Sequence, residues 1–102
     1  MHDDDSLKFL QQWYADHCDG EWEHHYGIKI ETLDNPGWRV TIDLTDTGLQ
    51  EFPLTAIEHR MEDRLLWCRC WRDERAFQAA CGAYGLKAVV ATFIEWESRN
   101  GT

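Results

Sequence analysis

Cys18 to Leu44 reads CDGEWEHHYGIKIETLDNPGWRVTIDL, and this stretch decides the fold. Within it, Gly27 to Leu33 alternates between apolar and polar side chains, as expected of a half-buried strand. Asp34 to Gly37 has the composition of a turn, because Asp and Asn bond their own backbone, Pro presets φ and Gly accepts positive φ. Trp38 to Thr45 then alternates again. The stretch therefore predicts a β-hairpin.

Two helical patterns flank the hairpin. Apolar residues at three- and four-residue steps predict a first helix from about Ser6 to His17, in which Trp13 and Tyr14 are interpreted as core residues. Asp19-Gly20 ends this helix, since Gly tolerates the left-handed conformation that often closes a helix. A second apolar stripe predicts a helix from about Leu86 to Ser98 that packs on the sheet.

Three further segments have strand-like patterns. Phe52 to Glu58 permits an edge strand, Leu65 to Trp71 alternates, and Ala76 to Cys81 is expected to pair back as a short strand. Glu58 to Arg64 is charged and is interpreted as a solvated connection. Glu21 to Tyr26 is interpreted as a loop or as the start of a strand. The connections are short, which favours antiparallel pairing.

The order of these elements predicts a two-layer α+β fold, with a mostly antiparallel sheet of four to five strands and an N-terminal and a C-terminal helix. A chain of 102 residues buries roughly two thirds of its unfolded surface, enough for one core. Residues 1 to 102 are therefore expected to form a single domain. Because no run approaches the roughly 20 apolar residues of a membrane helix and the first residues are acidic, we expect a cytoplasmic protein with reduced cysteines.

The negative charge is concentrated in the first third of the chain. The net charge is −9, of which residues 1 to 34 contribute −7 and the remaining residues −2. An acidic region repels nucleic acid and anionic lipid and attracts basic proteins. The charge therefore disfavours nucleic acid and membranes as partners and favours a basic protein, although acidic surfaces also serve solubility alone.

Cys18 and the neighbouring histidines raise the question of metal or thiol chemistry. Zinc sites usually space paired ligands as in CxxC or HxxxH, and Cys68-x-Cys70 has only one residue between its thiols. A nucleophilic thiol needs a nearby cation or helix N-terminus, whereas Cys18 follows a helix and lies among acids. We therefore predict no metal, no cofactor and no catalytic residue. The alternative is a small Cys/His metal-binding domain or thiol enzyme centred on Cys18 and His24.

The same stretch also has the composition of a protein-binding surface. Aromatic anchors ringed by charge are typical of protein interfaces, where the charge chiefly raises the association rate. The alternative is that Trp22 packs in the core and that the acids merely face water. The candidate partner contacts are Asp19, Glu21, Trp22, Glu23, His24 and Tyr26. The sequence does not determine the oligomeric state.

Several motifs resemble those of a known family. They are WYxxxCDGEWEHxYGI at Trp13 to Ile28, TLDNPGW at Thr32 to Trp38, IDL at Ile42 to Leu44, and FxxW at Phe93 to Trp96. These motifs are similar to those of the immunity protein 53 family of bacterial polymorphic toxin systems, and the similarity covers nearly the whole chain.

The resemblance implies a non-catalytic antidote that binds a cognate toxin domain and blocks it. It does not identify the toxin. The acidic first third independently suits a basic target such as a nuclease domain, and this is a hypothesis from charge alone.

Overall fold

A computed structural model describes residues 4 to 100, so residues 1 to 3 and 101 to 102 of the predicted domain lie outside the described residues. The elements in chain order are α1 (Asp4–His17), α2 (Trp22–His25), β1 (Ile28–Leu33), β2 (Gly37–Asp43), β3 (Ile57–His59), β4 (Cys68–Arg72), β5 (Ala76–Gly82) and α3 (Leu86–Asn100). The predicted α+β fold with a helix at each end is confirmed.

The five strands form one antiparallel sheet in the order β1-β2-β5-β4-β3. The predicted hairpin is the β1–β2 pair, in which Leu33 lies opposite Gly37. A long connection then carries the chain to the far edge of the sheet. Two hairpins, β3–β4 and β4–β5, then bring the chain back to the middle of the sheet. There β5 pairs with β2, and Val40 lies opposite Ala79. Strands β2 and β5 are therefore central, and β1 and β3 are the edges.

The helices cover one face of this sheet. α3 lies across β4 and β5, and α1 packs beside α3. Phe93 of α3 is fully buried, with its ring 5.2 Å from that of Phe77 and 5.3 Å from that of Trp13. The core around these rings also contains Leu10, Trp22, Val40, Ile42, Leu44, Leu49, Cys68, Cys70, Ala79, Cys81, Val89 and Trp96. An aromatic cluster thus joins both helices to the sheet.

Two local predictions are wrong in the helical layer. Tyr14 was expected in the core but is 39% exposed, because the neighbouring Trp13 occupies the stripe of α1 that faces α3. Glu21 to Tyr26 is neither a loop throughout nor a strand, since Trp22–His25 forms one helical turn. The Tyr26 N–H closes that turn by donating to the Trp22 carbonyl at 2.8 Å.

The strand boundaries after the hairpin also differ from prediction. β4 begins at Cys68 and not at Leu65, because the Asp63 carboxylate accepts the N–H groups of Leu65 and Leu66 and holds them in a turn. The edge strand β3 begins at Ile57 and not at Phe52, and it extends to His59, into the segment that was predicted to be a solvated connection, because only Ile57–His59 pairs with β4.

No helix within residues 4 to 100 is long and apolar enough to cross a lipid bilayer.

Candidate functional site

The acidic loop after α1 is held by its own carboxylates. Gly20 has φ of +95°, a conformation that favours glycine, and it lets the chain reverse after the helix. Asp19 Oδ1 then accepts the N–H groups of Glu21 and Trp22, both at 2.9 Å. Glu23 reaches back and accepts the N–H groups of Asp19 at 3.0 Å and Gly20 at 2.9 Å. Two of the predicted contact residues therefore have structural roles as well.

These hydrogen bonds favour the ionised form of both carboxyl groups. The N–H groups of Trp22 and Glu21 lower the pKa of Asp19, and backbone N–H groups, its own and those of Asp19 and Gly20, lower the pKa of Glu23. Because both pKa values are lowered in the folded state, the ionised carboxylates stabilise the folded loop at pH values above the ordinary pKa of these side chains. This stabilisation is lost as the pH falls through the lowered pKa values, so it is present at neutral pH.

Trp22 connects this loop to the core. Its side chain is 5% exposed, and its indole N–H donates to the Thr45 carbonyl at 2.9 Å. The ring also contacts Trp13 edge to face, with centroids 6.0 Å apart. Trp22 therefore packs in the core, as the alternative interpretation expected, and from there it holds the loop in place.

Of the other predicted contacts, Asp19, Glu21 and Tyr26 line a shallow pocket at the surface, whereas Glu23 and His24 do not line it. Asp19, Glu21 and His24 are exposed, whereas Glu23 and Tyr26 are half-buried. The pocket has a volume of about 270 Å³ and is lined by His17, Asp19, Glu21, Trp22, His25, Tyr26 and Asp46. Three carboxylates at one pocket create a negative potential that suits a Lys or Arg side chain of a partner.

Sequence reasoning missed Asp46, His17 and His25 as members of this surface. Asp46 follows β2 and is brought to the pocket by the hydrogen bond between Trp22 and the neighbouring Thr45. Its φ of 63° is a conformation that Asp tolerates better than most residues. No signal in the sequence links Asp46 to Asp19, whereas the two histidines could have been found from their positions beside the predicted loop.

The thiol of Cys18 donates a hydrogen bond to the Tyr14 carbonyl at 3.3 Å. Within residues 4 to 100, no group of three or more His, Cys, Asp or Glu side chains is placed to hold a metal ion. Cys68, Cys70 and Cys81 are buried in the core as free thiols. Burial raises the pKa of all three, to about 12 for Cys70 and to about 11 for Cys81.

Labelling of the native protein with a thiol reagent at neutral pH is expected to modify Cys18 alone. Cys18 is partly exposed, whereas the three other cysteines are buried and their raised pKa disfavours the reactive thiolate. In denaturant all four cysteines should react. Cys18→Ser is the matched control and should abolish labelling of the folded protein. Rapid modification of a core cysteine without denaturant would contradict this assignment.

A second surface, which the sequence did not single out, lies on the sheet face opposite the helices. The Arg39 guanidinium lies 5.0 Å and the Arg69 guanidinium 4.9 Å from the centre of the Trp71 ring, as in cation–π contacts. Arg69 also forms a 3.1 Å ion pair with Glu58. Arg69 and Trp71 are two residues apart on β4, so the sequence alone indicates that they share a face of the sheet. Arg39 lies on β2 and reaches them only because β2 and β4 are separated by a single strand, β5.

An open five-stranded antiparallel sheet with helices on one face and an ordered acidic loop defines a small α+β protein. The chain belongs to the immunity protein 53 family, since the model of that family, described as immunity protein 53, matches residues 7 to 98. It is therefore an immunity protein, and the partner implied by the family is a cognate toxin. Neither the search of curated proteins nor that of solved structures found a significant match.

Proposed function

We propose that this immunity protein neutralises a bacterial polymorphic toxin in the cytoplasm by binding it with one toxin domain per chain. The observation that supports the binding surface is the grouping of Asp19, Glu21 and Asp46 around one shallow pocket beside Tyr26. Charged groups around an aromatic side chain are typical of protein interfaces, which use the charge to raise the association rate.

The residues of this surface divide into two roles in the proposal. Glu21 and His24 are exposed and contact the toxin directly, and the half-buried Tyr26 supplies an aromatic edge. Asp19 and Glu23 hold the loop through backbone N–H groups, and Trp22 anchors it from below. A preformed loop loses little conformational entropy on binding, which favours affinity.

The charge of the surface favours a basic toxin, such as a nuclease domain. A nuclease presents a positively charged groove to its nucleic acid, and an acidic protein surface can occupy that groove in place of the phosphates. Inhibition would then result from direct competition for the groove. The protein itself contributes binding and no chemistry in this mechanism.

The first experiment is co-expression with the protein encoded by the adjacent open reading frame. Host survival together with a stable complex of one toxin per immunity chain would support the proposal. A neighbour that is toxic but is neither bound nor rescued would contradict it. Competition between the immunity protein and nucleic acid for the purified toxin then tests whether a nuclease groove is blocked.

Glu21→Lys is expected to lower the association rate with the toxin by roughly 10-fold and to reduce its dependence on salt. Glu21 suits this test because its side chain, unlike that of Glu23, has no described role in holding the loop. The matched control is Glu62→Lys, which makes the same change of charge beside the β1–β2 turn, at the opposite end of the sheet. Equal association rates for both variants at low salt would exclude the acidic loop as the binding surface.

A further inference from the structure

Strand β1 has a free edge. It pairs with β2 on one side and with no other strand among residues 4 to 100. The Asp43 N–H donates to the Gly27 carbonyl at 3.0 Å, and the ladder continues from this pair with Lys29 opposite Thr41. Hydrogen-bonded pairs alternate along an antiparallel ladder. The backbone N–H and C=O groups of Ile28, Ile30 and Thr32 therefore point outward from the sheet.

The surface beside this edge is apolar. Leu7 is 60% exposed and Ile30 39% exposed, although both are large aliphatic residues. Two shallow cavities adjoin the edge. One, of about 250 Å³, lies at Ile30 between α1 and α3, and the other, of about 400 Å³, lies at Ile28 between α1 and β1. The cavities share Leu7 and Leu10, so they form one apolar groove along the edge.

The charges of β1 are self-complementary about Ile30. Lys29 and Glu31 lie on the face opposite the groove, two residues apart, with Nζ and Oε2 separated by 3.8 Å and both side chains exposed. If a second β1 pairs antiparallel with Ile30 opposite Ile30, Lys29 lies opposite Glu31 of the second copy, and Glu31 lies opposite its Lys29. A register centred on Ile28 or Thr32 places neither Lys29 nor Glu31 opposite a residue of opposite charge. A lysine on an edge strand often prevents other strands from pairing with that edge. In an identical strand, however, Glu31 would lie opposite the lysine and neutralise its charge.

We propose that two copies of this chain associate through β1, with the two strands antiparallel and centred on Ile30, so that the two sheets become one continuous sheet. The outward backbone groups of Ile28, Ile30 and Thr32 then find partners, as in strand addition to a sheet edge. The two-fold axis places the same patch of both copies in contact, which is the commonest arrangement of homodimers. A second copy fits better than a toxin segment because the alternation of Lys29, Ile30 and Glu31 is complementary to itself.

The test is sedimentation of the full chain over a wide range of protein concentration, alone and without toxin. We expect a reversible dimer of twice the 12.0 kDa chain mass. Lys29→Glu places like charges opposite each other at both symmetric positions and should weaken the dimer by ~10-fold or more. Glu31→Lys should do the same from the other side. The double variant Lys29→Glu/Glu31→Lys restores both charge pairs and should dimerise as the original chain does.

Each other outcome would overturn the proposal. A chain that is monomeric at all concentrations has no such interface, and a dimer that is insensitive to Lys29→Glu uses a different surface. Failure of the double variant to recover would exclude the register centred on Ile30. Hydrogen exchange provides an independent measurement, because the Ile30 and Thr32 amides should become protected as the concentration rises. The Lys29 and Glu31 amides, which face β2, serve as the control, and unprotected Ile30 and Thr32 amides in the dimer would contradict strand pairing.

Discussion

Phe93→Ala is expected to lower the free energy of unfolding by about 3 to 5 kcal/mol, the usual cost of deleting a buried phenylalanine ring. Phe93 is fully buried, and its ring contacts those of Phe77, Trp13 and Trp96. The alanine variant loses the hydrophobic transfer energy of the ring and leaves a cavity between the helices and the sheet. Urea denaturation followed by tryptophan fluorescence measures the difference.

The matched control is Tyr84→Ala, because Tyr84 is 71% exposed and removing its ring leaves no cavity. The control should change the free energy of unfolding by less than about 0.5 kcal/mol. Domains of this kind are stable by only about 5 to 15 kcal/mol, so Phe93→Ala can leave a large unfolded fraction. Phe93→Leu retains most of the volume and should fall between the two. Similar losses for Phe93→Ala and Tyr84→Ala would contradict the position of α3.

Gly37→Ala is expected to lower the free energy of unfolding by about 2 to 3 kcal/mol, at the upper end of the cost of overpacking. A methyl group on Gly37 would overlap the carbonyl oxygen of Cys81, on the neighbouring central strand. That oxygen belongs to the backbone of the sheet and cannot rotate away as a side chain would. The strands must therefore separate locally, at the end of the β2–β5 ladder where Gly37 lies opposite Gly82.

Gly27→Ala is the control for this change. A methyl group at Gly27 would meet no atom within 4 Å, and its backbone is not in the left-handed region. Alanine there should leave the stability within about 0.5 kcal/mol or raise it slightly, because it restricts the unfolded chain. Thermal or urea unfolding of both variants provides the comparison. If Gly27→Ala is the more damaging change, the pairing of β2 with β5 has been assigned wrongly.

Together these variants separate the fold from the proposed binding surface. Phe93 and Gly37 are buried and support the sheet and its helical layer, whereas Glu21 is exposed and outside both. Loss of toxin binding in Glu21→Lys with unchanged stability would therefore report on the interface alone. Lys29→Glu should change neither the stability of the monomer nor toxin binding through the acidic loop, so the dimer is tested independently of the proposed function.

Local sequence patterns were sufficient to predict the hairpin and the two long helices. The alternation of β1 and β2, and the turn between them, depend on residues within a few positions of each other, and so do the apolar stripes of α1 and α3. The one-turn helix at Trp22 was missed because four residues are too few to show a helical period. The edge strand Ile57–His59 is shorter still, and it exists because β4 supplies its hydrogen bonds.

The tertiary structure alone decided which of these residues reach a surface together. Trp13 and Tyr14 were both predicted to lie in the core, yet α3 packs against the first and leaves the second exposed. Trp22 is buried because its indole meets the end of β2, and the same contact brings Asp46 to the acidic pocket. A local pattern records what adjacent residues favour, whereas burial and the composition of a surface depend on which distant segments pack against each other. The sequence by itself therefore determined the two long helices and the hairpin, and the packing determined the shape of the acidic loop and the surfaces that a partner can meet.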